Sequence, residues 1–281
     1  RDFCLSRGLG DVYKRQDYYW AFRSIFHQRS EIREYLDRYV PDHADMFTPL
    51  RQFKNKHIGQ RCFIVATGPS LTIEDVSKLK NEICWSMNSG FKLINSADFH
   101  PAYYAIADGT VYQRVKEELV GHKMPPIFYN EKDIKWDIDG YVTFPLPVSV
   151  SLLLTEWQRN HLPKCLLKKR ISNDVEKCIY MGDTVVNVII QLCFYMGFKE
   201  IYLIGTDCNY FGNNKHSAVA SYNNDDKLHD SPDAIYNGMI SDYQCAKIEA
   251  DRLGVKIYNA TRGGMLEVFE RVDLDEILGL K

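Results

Sequence analysis

Residues 183–207 read DTVVNVIIQLCFYMGFKEIYLIGTD, and this stretch decides the fold. Asp183 to Met196 is apolar at helical spacing, with Asn187 and Gln191 four apart on one side. Gly197 stands where a helix needs a residue in the left-handed conformation to end. Glu200 to Ile204 then forms a short apolar run, and the run stops in Gly205-Thr206-Asp207. A helix, a glycine stop, a buried strand and a polar strand end make half of a βαβ unit. A strand with no polar alternation is one covered on both faces, as in a parallel sheet.

Working outward, the same grammar recurs. CFIVATGPSL, residues 62–71, gives a strand over Cys62 to Ala66, a turn at Thr67-Gly68-Pro69-Ser70, and a helix over Leu71 to Leu79 with Ser70 or Thr72 at its cap. Further strands are expected over Glu82 to Met87, Tyr103 to Ala107, Ile127 to Tyr129, Tyr141 to Phe144 and Val255 to Tyr258. Helices are expected from Thr110 to Val120 and from Ser241 to Leu253. The alternation predicts an α/β, Rossmann-like three-layer sandwich with a mostly parallel sheet. Residues 58–281 form this domain, 17–57 an amphipathic helix (Tyr18 to Tyr39) and a polar linker, and 145–177 an irregular insertion or lid.

The composition narrows the function. The 281 residues carry a net charge of −2, and the basic residues are scattered, so no footprint for nucleic acid exists. Eight cysteines show no CxxC pair, which speaks against a zinc site or a disulfide framework and for a reducing, cytoplasmic compartment. No apolar run reaches the roughly 18 residues of a membrane span. Residues 1–16, RDFCLSRGLGDVYKRQ, lack periodicity and resemble adapter read-through, so they carry no weight in the fold. The oligomeric state is left open.

In parallel sheets, ligands gather beyond the carboxyl ends of the strands. There the sequence places Thr67, Gly68, Pro69 and Ser70, then Asn88, then Asp108, then Asp207, Asn209 and Tyr210. Gly68 permits close backbone approach, and the helix start behind it would favour an anion. Gly182-Asp183-Thr184 is a second helix start of the same kind. The turn is neither a Walker loop nor a GxGxxG fingerprint, so a plain strand-to-helix turn remains an equal reading of it. Asp207 is read as a turn residue, a Mg²⁺ ligand or an acceptor for sugar hydroxyls. His216 and His229 lie in a long polar loop, where a general acid or base would be placed.

Three segments carry a family resemblance: CFIVATGPSL, YMGDTVVNVIIQLCFYMGFKEIYLIGTDCNY and KIYNATRGGMLEVFERVDLDEIL. Together they resemble the MptE-like domain, whose name comes from an archaeal 6-hydroxymethylpterin pyrophosphokinase. The arrangement is also similar to bacterial sialyltransferases that use CMP-sialic acid, and to motility-associated proteins proposed to glycosylate flagellin. The resemblance implies that Thr67, Gly68 and Ser70 line nucleotide phosphates, that Asn88 contacts the nucleotide, and that Thr184 and Asp207 match a helix-start and a strand-end residue of the site. One departure matters. The sialyltransferases carry a catalytic histidine before the penultimate helix, where this chain has Tyr236-Asn237-Gly238-Met239. His216 is the replacement candidate and His229 the reserve.

Two enzymatic expectations follow, with a nucleotide or nucleotide sugar as donor and a sugar or a pterin as acceptor. In a glycosyltransferase for surface glycans, His216 would deprotonate the acceptor hydroxyl or protonate the leaving phosphate, Asp207 would be the second catalytic residue, and no metal is needed. In an ATP-dependent pyrophosphokinase, Mg²⁺ would be the cofactor and Asp207 with Asp108 would hold it. A nucleotide- or glycan-binding module without catalysis is the third expectation.

Overall fold

In this computed structural model, residues 48–119, 121–130, 141–144, 171–172, 174–176, 178–211, 218 and 231–281 are described. They belong to one unit of chain, residues 46–146 and 170–281. The expected helix over Tyr18 to Tyr39, the segment 1–16, most of the 145–177 insertion, His216 and His229 lie outside the described residues.

The strands are β1 (Arg61–Val65), β2 (Cys84–Met87), β3 (Tyr103–Ile106), β4 (Ile127–Asn130), β5 (Tyr141–Phe144), β6 (Glu200–Ile204), β7 (Lys256–Asn259) and β8 (Glu270–Arg271). They form one sheet in the order β5-β4-β3-β2-β1-β6-β7-β8, and every pairing is parallel. The order runs outward from β1 in one direction and from β6 in the other, so β1 and β6 flank a topological switch point. Five registered pairs, from Arg61 opposite Glu200 to Val65 opposite Ile204, make the two strands end in step.

The helices are α1 (Thr48–Arg51), α2 (Ile73–Ser77), α3 (Lys92–Ala97), α4 (Gly109–Leu119), α5 (Val185–Met196), α6 (Pro232–Leu253) and α7 (Leu274–Ile277). Alternate strand residues serve opposite faces. Cys62, Ile64, Trp85, Tyr103, Ala105, Ile201 and Leu203 pack with α5 and α6. Phe63, Val65, Cys84, Tyr202 and Ile204 pack with α2, α3 and α7, and Tyr104, Ile106, Ile127 and Tyr129 pack with α4. This is the Rossmann-like sandwich, and it explains why the strands carry no polar alternation. The Cys62 and Cys193 sulphurs sit 3.6 Å apart as free thiols, and burial holds the Cys62 thiol well above its ordinary range. They behave as small apolar side chains between β1 and α5.

Three differences from the sequence expectation have local causes. Helix α6 begins at Pro232 rather than Ser241, because the Ser231 hydroxyl accepts from the Ala234 amide at 3.2 Å and Pro232 supplies the first helical φ. The short α3 and the 3-10 turn Asn88–Phe91 fill what reads as a connection. Residues 48–60, expected as linker, send Leu50 and Phe53 into the core, where the Phe53 ring meets Phe128 at 4.9 Å and Tyr103 at 5.8 Å. Elsewhere α5 ends at Gly197 in the left-handed conformation, as expected.

Candidate functional site

A cavity of about 220 Å³ opens at the carboxyl ends of β1, β2 and β6, over the switch point. Of the residues singled out in the sequence, Thr67, Gly68, Pro69, Asn88, Thr184, Asp207, Asn209 and Tyr210 line it. A second cavity of about 380 Å³ adjoins it and holds Asp108, Gly182 and Asp183. Asn88, Thr184, Val185, Tyr210 and Met239 belong to both walls.

Ser70 acts differently from its expected role. Its hydroxyl donates to Asp207 Oδ2 at 2.8 Å and its amide approaches the same oxygen at 3.3 Å. The Gly68 amide donates to the Gly205 carbonyl at 2.8 Å. Helix α2 starts only at Ile73, is five residues long and is capped by Thr72, whose side chain accepts from the Asp75 amide. The β1 turn is therefore stitched to the β6 turn by the protein's own groups, and it is no open amide cradle. The glycine is needed for the same reason: a Cβ on Gly68 would come within 2.0 Å of Asp207 Oδ2 and 2.3 Å of the Gly205 carbonyl.

The start of helix α5 is the more open of the two helix starts. The helix has twelve residues, and its N-cap Thr184 accepts from the Val186 amide at 3.3 Å through Oγ1, while the Thr184 carbonyl accepts from Asn187 at 3.1 Å. That leaves the Val185 amide and the positive end of the helix dipole at the wall common to both cavities. Gly182 leads into this start with φ +65, and a Cβ there would meet Asp242 Oδ2 at 2.5 Å. The buried Asp242 carboxylate accepts from the Asp183 amide at 2.5 Å and so fixes the turn.

Three carboxylates, Asp108, Asp183 and Asp207, and no lysine, arginine or histidine occur in the described walls of the two cavities. Burial raises the Asp207 carboxyl above its ordinary value, and the two Ser70 hydrogen bonds oppose that rise. Asp108 and Asp207 line different cavities, and no group of three or more metal-ligating side chains occurs among the described residues. The pair expected to hold Mg²⁺ is thus divided between two cavities, and the Asp207 Oδ2 already serves Ser70.

Sequence reading missed four contributors. Thr206 is 5% exposed, its amide donates to Thr261 Oγ1, and its hydroxyl has no hydrogen-bond partner. The Oδ1 of Asn88, a residue the sequence did single out, is likewise buried without a partner, in a residue held at φ 50 beneath a hydrogen bond from the Tyr104 hydroxyl to its carbonyl. A ligand or an ordered water would complete both atoms. Tyr243 and Met239 come from α6, and the buried Tyr243 oxygen accepts from Thr184. Cys208 also lines the cavity, but burial pushes its thiol up to about 12, so it is no nucleophile near neutral pH. Only Thr206 could have been found, from its place between Gly205 and Asp207 at a strand end. His216 and His229 lie outside the described residues, although Ala218 donates its amide to the Thr67 carbonyl at 2.8 Å.

Residues 37–213 match the profile of the family described as 6-hydroxymethylpterin diphosphokinase MptE-like. The chain belongs to this MptE-like family. Among solved structures it is similar to the MAf glycosyltransferase from Magnetospirillum magneticum AMB-1, with a TM-score of 0.50 and 14% sequence identity. That similarity covers 83% of this chain and 38% of the other, so the MptE-like chain spans well under half of that protein. At this identity the likeness concerns the fold. Comparison with curated proteins gives no match. No helix among the described residues is long and apolar enough to cross a membrane.

Proposed function

We propose that this MptE-like protein is a nucleotide-dependent transferase, and that it moves a glycosyl group from a nucleotide-activated sugar in surface glycan synthesis. The observation that carries the reading is the cavity over the β1/β6 switch point, lined by seven of the residues expected to hold a nucleotide and by Asp207. Such crevices are where open parallel sheets take their ligands. The family supports a transferase, and the fold shared with a glycosyltransferase agrees with it.

In this reading the leaving nucleoside phosphate sits against the start of α5. The charge that grows as the glycosidic bond breaks is met by the Val185 amide and the helix dipole, which need no reorganisation during the reaction. Asn88 Oδ1 and Thr206 Oγ1, both unpartnered and buried, meet hydroxyl or base donors of the nucleotide. Asp207 accepts from a sugar hydroxyl, and His216 carries the proton between acceptor and leaving group. CMP-linked sugars are the first donors to try.

The family description also favours a second reading, pyrophosphoryl transfer from ATP to a pterin alcohol. Calorimetric titration with CMP, CTP and ATP, each with and without Mg²⁺, followed by turnover assays on a panel of nucleotide sugars, separates the two. Metal-independent binding and release of nucleoside phosphate from a sugar nucleotide are expected. AMP formation that requires Mg²⁺ would replace the first reading by the second, and binding with no turnover on any donor would leave a binding module.

A further inference from the structure

We propose that the 380 Å³ cavity is the acceptor subsite, and that it admits an uncharged, hydroxyl-bearing group such as a sugar ring while rejecting carboxylated or phosphorylated acceptors. This rests on the transferase reading above, and divides the expected nucleotide-binding residues between two ligands. The cavity shares Asn88, Thr184 and Tyr210 with the switch-point cavity, so an occupant would abut whatever fills the first. Donor and acceptor need that adjacency for a direct transfer.

The wall decides the class of occupant. Asp108 and Asp183 supply two carboxylates, and the Asp242 carboxylate lies within 2.5 Å of where a Cβ on Gly182 would stand. Both Thr110 bonds to Asp108, from its amide at 2.7 Å and from its hydroxyl, fall on Oδ1, which leaves Oδ2 for a ligand donor. No basic side chain occurs in the described wall to offset these charges. Asp108 and Asp183 are exposed, so a second anion there would meet like charges only partly screened by water, whereas hydroxyl groups would find acceptors. Val111, Met181 and Met239 complete the wall with apolar surface suited to the C–H face of a sugar ring. The buried, unpartnered Asn88 Oδ1 at the rim is one more acceptor awaiting a donor.

The methionines make the test direct. Met87 lines only the first cavity and Met181 only the second. In the full chain labelled with ¹³C at methionine methyl groups, CMP should shift the Met87 signal. With CMP present, methyl glucoside should shift Met181, and the matched methyl glucuronide should need roughly tenfold more ligand or have no effect. Asp108→Asn, alone and with Asp183→Asn, should let the glucuronide approach the glucoside. A glucuronide that shifts Met181 of the unaltered protein as readily as the glucoside does, or a glucoside that leaves Met181 unmoved, overturns the proposal. A silent Met87 under CMP, with Met181 still answering to the glucoside alone, would instead count against the nucleotide reading and leave the neutral subsite standing.

Discussion

Gly68 and Asp207 are read together or misread separately. From sequence, the glycine suggests a backbone opened for a phosphate and the aspartate a turn residue. In the folded chain the aspartate fills the space beside the glycine and ties down Ser70. Gly68→Ala must push the β1 turn away from the β6 turn, at a cost of about 1–3 kcal/mol of stability, and nucleotide affinity should fall roughly tenfold or more. Thermal melting and calorimetry on the variant check both. Asp207 also makes a pH prediction. A carboxyl whose folded value is raised by burial contributes its stability in full below the ordinary carboxylate range, and loses it as pH climbs through the raised value. Relative to Asp207→Asn, the native protein should therefore lose unfolding free energy as pH rises from about 4, the ordinary carboxylate value, upward. Urea unfolding of both proteins across that range should show the gap changing in this direction, and a flat difference would mean the burial is not felt. The residue types at the site were legible because strand ends in a parallel sheet are predictable places. Their partners were not, because the Ser70–Asp207 contact joins positions 137 apart.

In the proposed function, helix α5 and its cap carry the most weight among the elements. Thr184 holds the first turn and donates to the buried Tyr243 oxygen, so it joins α5 to α6 at the cavity. Thr184→Ala should cost about 1 kcal/mol in unfolding free energy and weaken nucleotide binding further, whereas Thr184→Ser should restore most of both. Denaturant titration alongside calorimetry distinguishes the two variants. The fate of residues 48–60 is a second lesson. Their polar composition reads as linker, yet Leu50 is fully buried and Phe53 packs edge-on against Phe128. Leu50→Ala should cost about 2–5 kcal/mol, against less than about 0.5 kcal/mol for a solvated linker. Leu50, Phe53 and the exposed Ile58, scattered among polar residues, give no sustained period, which is why the segment hid. Helix α6 hid for the opposite reason. Its Ser231-Pro232-Asp233 start is a strong signal, but it adjoins an Asn- and Asp-rich stretch that reads as loop throughout.

Across the molecule, the sheet converts sequence-distant turns into one cleft. The strand periodicity, and above all the α5–β6 stretch, made the parallel sandwich readable before any coordinates. The strand order did not follow from it, because pairing between β1 and β6 spans the whole first half of the fold. With the order known, the switch point follows, and with it the place where a ligand belongs. The division of that place into two cavities of different character depends on side-chain packing alone, and no motif announces it. The central claim is that a nucleotide lies over the switch point, between the β1 and β6 turns and the start of α5. Amide hydrogen exchange with and without saturating CMP, CTP or ATP tests it most directly. Protection confined to peptides containing 66–70, 87–89, 184–187 and 205–210 is the predicted result. Exchange unchanged in these peptides, or protection appearing only elsewhere in the chain, would contradict it.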